Sequence, residues 1–382
     1  MTAQTADWAA FQRRYRAFFR NREEVPFRVQ PPTGAGRTLG AGEPAFELIA
    51  RDSAGLAALN SLDQVQVALA YLDGHVDVEG DIFAALSVRG FFGDFHPIAW
   101  VNRFLPSFVR GKTEHDRRSI TAHYDRDPEF FLSFLDTRHR CYTQGSFKTD
   151  DEPLEDAVTR KLDIAIEDLG LRPGDRVLEV GGGWGAFVEH AGRKGIDVTT
   201  LTLSEPSELY LKDLISRENL PARVERKHIL RYKPGKRFDA IVNMGVTEHL
   251  PDYRASLRKY QQLLRPGGRI YLDALAMRAK HRMSTFMSRY IYPGVSTPLL
   301  LHDYLRQVAK SPFYLRSVND ERHNYYLTCK AWAQRLDAAH DDIVAGWGEQ
   351  AYRQFRLFLW GSAAGFNSGL VQAYRWTLDL PE

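Results

Sequence analysis

Glycines stand at positions 181, 182, 183 and 185, directly after the apolar run Val177, Leu178 and Val180. Residues without side chains at that spacing let the backbone turn sharply and lie against a ligand. Glu179 lies inside the run, where a carboxylate must be paired or must orient the loop that follows, because burying it alone is costly. Strand, glycine turn, helix and second strand, in the order of Arg176 to Leu203, build a pocket for a nucleoside cofactor at the carboxyl end of a parallel sheet.

Two details separate this pocket from a dinucleotide site. The position that would complete G-x-G-x-x-G is Ala186, and the second strand, Val198 to Leu203, ends without an acid, Glu205 coming two residues later. A loop with Gly181, Gly183 and Gly185 packs well against an uncharged nucleoside and a zwitterionic methionine, which suits a class I S-adenosylmethionine site. The two cysteines, Cys141 and Cys329, have neither a disulfide framework nor metal-ligand spacing, so they read as buried small residues and no metal is expected.

The elements around the loop follow from periodicity. Leu154, Ala157, Val158, Leu162, Ala165 and Ile166 mark an amphipathic helix that Pro173 and Gly174 stop before the motif strand. Beyond it come a helix from Glu205, an ARVERKHIL strand, an FDAIVNMG strand, a helix over Tyr253 to Leu264, and a strand that Pro266, Gly267 and Gly268 lead into. This alternation predicts an α/β fold with a parallel sheet. Residues 277–330 break it and read as a helical cap insertion, NYYLTCKAW as a strand or helix start, and Trp332 to the end as mainly helix. The stretch ITAHYDRDPEFFLSFLD is expected over the mouth of the cofactor pocket, after a polar linker at Gly111 to Arg118.

At 382 residues, with 44% hydrophobic and 26% charged residues, the chain is long enough for more than one domain. A net charge of +3 gives no basis for nucleic-acid binding, and neither an eighteen-residue apolar run nor a signal-peptide core is seen, so a cytoplasmic location is expected. Arg13, Arg14, Arg16, Arg20 and Arg22 lie among Phe11, Tyr15, Phe18 and Phe19. This basic aromatic helix reads either as a face for anionic lipid on the inner membrane surface or as a solvated helix with its aromatics packed inward.

The chain resembles the cyclopropane fatty-acyl-phospholipid synthases and their S-adenosylmethionine-dependent, mycolic-acid-synthase-like relatives. The resemblance rests on AYLDGHVDVEGD, HYDRDPEFFLSFLD, KLDIAIEDLGLRPGDRVLEVGGGWG, TLTLSEPSE, GVTEHL, LLRPGGRIYL, YIYPGV, YYLTCKAW and FRLFLWGSAAGF, in order over roughly residues 60 to 375. It implies a class I S-adenosylmethionine-dependent methyltransferase (Rossmann-like) fold with a small N-terminal α+β domain at 1–110 that engages lipid. A catalytic domain at 111–382, with its cap around 277–330, would follow. It also implies methyl transfer to the cis double bond of an acyl chain.

On the cofactor side the resemblance places Glu179 behind the loop, Gly181, Gly183 and Gly185 around the methionine, and Thr202 and Ser204 at the ribose and adenine edge. Ser207 stands where a glutamine is common, and His228 where an acid is usual near the adenine. On the chemical side ring-forming relatives hold bicarbonate, thought to be the base, with a cysteine, a glutamate, a histidine and a tyrosine. Glu248 keeps the glutamate and Tyr325 the tyrosine, while Gln144 occupies the cysteine place and Asp273 the histidine place, which puts bicarbonate in doubt; Cys141, three positions away, is expected to point elsewhere. Asp273 admits two readings: a built-in base beside Glu248, or a site that holds no external base.

Attack by an alkene leaves a cation, which Glu248 and aromatic walls would stabilise in a dry pocket; Tyr124, Phe147, Tyr290, Tyr292 and Tyr325 are the candidates. Lys280, Arg282 and Arg289 are candidates for lipid phosphate. The expected partners are an unsaturated lipid or hydrophobic small molecule, a membrane surface met peripherally, and a second copy in a homodimer. Three functions stay open from the residues: methylation of a lipid acyl chain with or without cyclopropane formation, methylation of a small natural product, and non-catalytic binding of cofactor and lipid.

Overall fold

The computed structural model describes residues 5–94, 127–279, 284–291 and 298–382, the side chains of 288 and 289 excepted. Gly111 to Arg118, Tyr124, Lys280, Arg282 and Tyr292, and the side chain of Arg289, lie outside the described residues.

The N-terminal part carries helices α1 (Trp8–Phe19), α2 (Ser53–Asn60), α3 (Gln64–Leu72) and α4 (Ile82–Ser87) and strands β1 (Phe27–Gln30), β2 (Arg37–Leu39), β3 (Phe46–Ala50) and β4 (Val76–Gly80). The strands form a sheet of order β2-β1-β3-β4, in which β1 and β3 run parallel. FELIA alternates buried and half-buried residues, the period-two signature of a sheet with one face on a core. Phe11, Tyr15 and Phe19 of α1 are buried in that core beside Phe27 and Phe91, and Arg14 donates to the Gly90 carbonyl at 3.0 Å. The aromatics of the first helix therefore face inward, as in the second of its two sequence readings.

The described C-terminal part begins with α5 (Pro128–Leu132) and α6 (Leu154–Leu169). Glu155 and Asp156 in the first turn of α6 suit its positive end, and Gly170 in left-handed backbone, φ 62°, stops it. Next come β5 (Arg176–Val180), α7 (Ala186–Arg193), β6 (Asp197–Thr202), α8 (Glu205–Arg217), β7 (Ala222–Arg226), β8 (Phe238–Met244), α9 (Tyr253–Leu263) and β9 (Leu264–Ala276). The chain ends with α10 (Leu301–Val308), β10 (Tyr314–Asp320), α11 (Arg322–Ala338), α12 (His340–Trp347), α13 (Glu349–Asn367) and β11 (Gln372–Asp379). The seven strands lie in the order β10-β11-β9-β8-β5-β6-β7; β5 to β9 are mutually parallel and β11 runs antiparallel between β9 and β10. Because β6 and β8 lie on opposite sides of β5, the order reverses there and opens a crevice at the carboxyl ends of β5 and β8.

Of the two readings of NYYLTCKAW the structure takes the helix start, since the segment lies inside α11, and the chain from Trp332 on is mainly helix as expected; the addition is β11, which inserts into the sheet near the end. Of the described residues in the stretch 277–330 expected as a cap, Met277, Arg278, Ser284, Phe286, Met287 and Pro298 line the crevice, while α10 packs Tyr304 on Trp376 of β11, ring centres 5.1 Å apart, and β10 is an edge strand. The crevice is also lined by α13 together with α3, β4 and α4 of the N-terminal part. That junction is stitched by Arg353 Nη1 to Asp77 Oδ1 at 2.7 Å and by Arg89 Nη1 donating to the Gly361 carbonyl at 2.8 Å.

Candidate active site

The loop after β5 explains the glycines. Gly181 has φ 88°, and a Cβ there would lie 2.3 Å from Val246 Cγ2. Gly183, φ 50°, faces open space, so its missing side chain leaves room for a ligand rather than for the protein. Ser207 Oγ donates to the Gly183 carbonyl at 2.7 Å and so fixes the loop. Ser204 caps α8 by accepting from Ser207 N at 3.3 Å, while its own N–H donates to Thr202 Oγ1 at 3.2 Å. These three hydroxyl residues line the cavity, but each also holds the local backbone.

Glu179 is buried, its carboxyl pushed up to about 7 by loss of water, and its Oε2 has no hydrogen-bond partner. A buried acceptor of this kind beneath a glycine cradle fits a ligand that brings a positive charge or an N–H donor. His228 Nδ1 accepts from Leu230 N at 3.2 Å, and burial lowers its pKa. The neutral ring with Nδ1 accepting carries its proton on Nε2, so His228 offers the pocket a donor where an acid would offer an acceptor.

Across the crevice the turn after β8 places Glu248 3% exposed, on the short helical turn Thr247–His249. Its Oε1 accepts from Leu275 N of β9 at 2.7 Å, and its Oε2 has no partner. Burial, assisted by the Asp273 charge, pushes its pKa up to about 8. Tyr325, in the first turn of α11, stacks on Phe366 with centroids 4.7 Å apart and planes 16° apart; burial and the nearby Asp273 and Glu248 carboxylates keep it a neutral phenol.

The glycine loop, Glu248 and Tyr325 line one cavity of about 1080 Å³ that continues between α13 and the N-terminal part, over Ala68, Tyr71, Val78, Ile82, Leu357 and Phe358. Tyr142 and Trp332 line it near Tyr325, their rings 5.4 Å apart. Sequence reading missed both. Phe147 and Tyr290, expected as walls, do not line the cavity: the Phe147 N–H donates to Asn324 Oδ1, and Tyr290 stacks on Phe286. Cys141, expected to point elsewhere, is among the lining residues.

Gln144 and Asp273 are also buried, but they sit behind the wall rather than in it. The reading of Asp273 as a base projecting into the cavity is corrected accordingly. Its Oδ2 lies 2.9 Å from Lys161 Nζ, off the line of a hydrogen bond, and both its oxygens lack hydrogen-bond partners. Lys161, on α6 and 2% exposed, donates to Thr143 Oγ1 and reaches Gln144 Oε1 at 3.4 Å. Sequence reading missed Lys161, although its spacing from Ala157 and Val158 puts it on the buried stripe of α6.

Bicarbonate does not fit these residues. On the resemblance, the places of a thiol and an imidazole hold an amide whose oxygen faces Lys161 and a carboxylate, which cannot donate to an anion. A further anion would lie against Asp273, whose charge Lys161 already offsets.

The strand order, glycine cradle and carboxylate-lined crevice define a class I S-adenosylmethionine-dependent methyltransferase fold. Within that class the chain belongs to the mycolic acid cyclopropane synthetase family, whose profile matches residues 111–376. A sphingolipid C9-methyltransferase of Candida albicans is 26% identical over 80% of this chain and 64% of that protein, so this chain spans just under two thirds of its length. A tuberculostearic acid methyltransferase of Mycobacterium tuberculosis is 28% identical over 73% of this chain and 70% of its own. The solved structure of a cyclopropane synthase from the same organism superposes with a TM-score of 0.65 at 26% identity, over 69% of this chain and 98% of that one.

The two raised carboxyls make the free protein sensitive to base. Glu248 and Glu179 bind protons in the folded state, up to about pH 8 and 7, that the unfolded chain has released by about pH 5. Their contribution is complete below the unfolded value and is lost as pH rises through the folded one. The unfolding free energy is therefore expected to fall between pH 6 and pH 9 by on the order of a few kcal/mol, read as a lower urea midpoint. Saturating cofactor should flatten that decline, and a midpoint that rose over this range would contradict the burial assigned to both groups.

Proposed function

We propose that this chain transfers a methyl group from S-adenosylmethionine to a double-bond carbon of an unsaturated lipid acyl chain. The observation that carries the reading is the continuity of the cavity: cofactor loop and Glu248 at one end, an apolar passage between α13 and the N-terminal part at the other. When bound, the cofactor supplies an electrophilic methyl; the C–C bond forms, the S–C bond breaks with its pair left on sulfur, and positive charge appears on the neighbouring carbon.

The chain's own residues then have three tasks. The glycine loop and Ser207 hold the donor end. The apolar walls exclude water that would trap the cation, and Tyr142, Trp332 and Tyr325 place aromatic side chains in those walls. Glu248, held by the Leu275 N–H, keeps its free oxygen for the charge or for a proton. At about 1080 Å³ the cavity has room for a second ligand beside the cofactor, and the apolar lining of its far end favours an acyl chain there.

We favour a methyl- or methylene-bearing product over a ring, because the donors that would hold an anion for ring closure are replaced by Gln144 and Asp273. Contact with a bilayer, in this reading, is electrostatic, through exposed Arg13, Arg16 and Arg20 on α1. Incubation with unsaturated phospholipid vesicles, anionic and neutral, followed by proton NMR of the extracted lipid is the test. New vinyl or allylic methyl signals are expected, with more product from anionic vesicles. High-field ring protons would replace the favoured product by cyclopropane, and equal product from both vesicle types would remove the electrostatic contact. Ala68→Trp, which fills the passage, should lower kcat/KM for a long chain about tenfold and leave cofactor affinity unchanged. No effect on any chain length would move the acyl chain out of this passage.

A further inference from the structure

Behind the Glu248 wall lies a charged pair that no part of the cofactor site uses. Lys161 and Asp273 are 2% and 0% exposed, 2.9 Å apart, and come from α6 and β9. Thr143 Oγ1 accepts from the lysine, and Gln144 Oε1 lies within 3.4 Å of it, so the side chain is held on three sides. A lysine and an aspartate so deeply buried have each lost water, and removing either would strand the other. On the resemblance, Gln144 and Asp273 stand at two of the places with which ring-forming relatives hold an anion, and here those places carry the protein's own charged pair.

Resting on the acyl-methylation reading above, we propose that Lys161 is a positioning residue whose pair with Asp273 replaces an external anion, leaving Glu248 as the group that takes the proton after methyl transfer. Glu248 lines the cavity with a partnerless oxygen, whereas Asp273 does not line it. The balance closes without a further reactant: a C–H pair next to the cationic carbon collapses into a new π bond or ring bond, and the proton goes to Glu248 Oε2. No oxidant or reductant takes part. Lys161 sets how much of the Asp273 charge reaches Glu248, and so where the Glu248 carboxyl settles against β9.

The test has two arms. In the first, carbon-13 bicarbonate is titrated against the wild-type protein saturated with S-adenosylhomocysteine and followed by NMR line width. No binding is expected to the wild type, and binding is expected to Asp273→Ala, where a vacated carboxylate volume faces Lys161. Saturable binding to the wild type would overturn the proposal without any assay of turnover. In the second arm, methyl transfer is measured in bicarbonate-stripped buffer with and without added bicarbonate. The wild-type rate is expected to agree within about twofold, while Asp273→Ala loses about a hundredfold through misplacement of Glu248 and regains most of it with added formate.

Lys161→Met should lose a similar factor and gain nothing from formate, a difference that a merely structural role would not produce. Stimulation of the wild type by bicarbonate, or failure of formate to rescue a folded Asp273→Ala, would overturn the assignment. If no lipid is methylated by the wild type in any buffer, the acyl reading falls, and the binding arm alone still decides whether the pair displaces the anion. Should Asp273→Ala not fold, the wild-type titration decides in the same way.

Discussion

Glu248→Gln is expected to lower turnover by about a hundredfold or more, the range over which a positioned acid or base contributes, while cofactor affinity changes far less. Glutamine keeps the shape and can still accept from Leu275 N, so the local turn survives. What disappears is the negative charge on a buried oxygen that has no other partner. The wild-type rate should rise with pH as Glu248 ionises, toward about 8 in the free protein and lower once a cationic cofactor lies beside it; in Glu248→Gln this rise should vanish. Calorimetric titration of cofactor beside single-turnover rates checks both halves. Equal losses of affinity and rate would make Glu248 a structural residue.

Gly181→Ala should weaken cofactor binding on the order of a hundredfold, about 3 kcal/mol. The backbone at φ 88° disfavours any L side chain by about 1–2 kcal/mol, and the new Cβ would lie 2.3 Å from Val246 Cγ2. Val246 belongs to the turn that carries Glu248, so relieving the clash shifts the cofactor loop and the carboxylate apart. Gly174→Ala is the control: φ is 90° there too, but no atom lies within 4 Å of the new Cβ. It should cost stability by about the conformational term alone and leave cofactor affinity intact. If both substitutions weakened binding equally, backbone strain rather than the Val246 contact would be the cause.

The cofactor half of the site was legible because its signals are local. Arg176–Val180 is buried nearly throughout, as a central parallel strand must be, and the glycines follow it within five residues. The α/β alternation from α6 to β9 was equally readable, since each segment carries its own periodicity and punctuation. Glu248 was found through the GVTEHL resemblance rather than through any pattern of its own. By contrast, β11 was hidden in an aromatic-rich tail whose short alternation does not announce that it will pair antiparallel with β9.

The sequence by itself determined the glycine loop and the order of elements around it. It did so because those features are written in neighbouring residues, where backbone preference and burial period act directly. Only the tertiary structure decided which side chains share the reacting volume. Asp273 moved behind the wall because Lys161, from a distant helix, was there to meet it. The passage for a chain arose where α13 crosses the N-terminal part, a contact made by residues hundreds of positions apart, as in Arg89 with Gly361. Such pairings depend on how separate layers pack and on which buried charges can be neutralised together, and neither leaves a periodic trace along the chain.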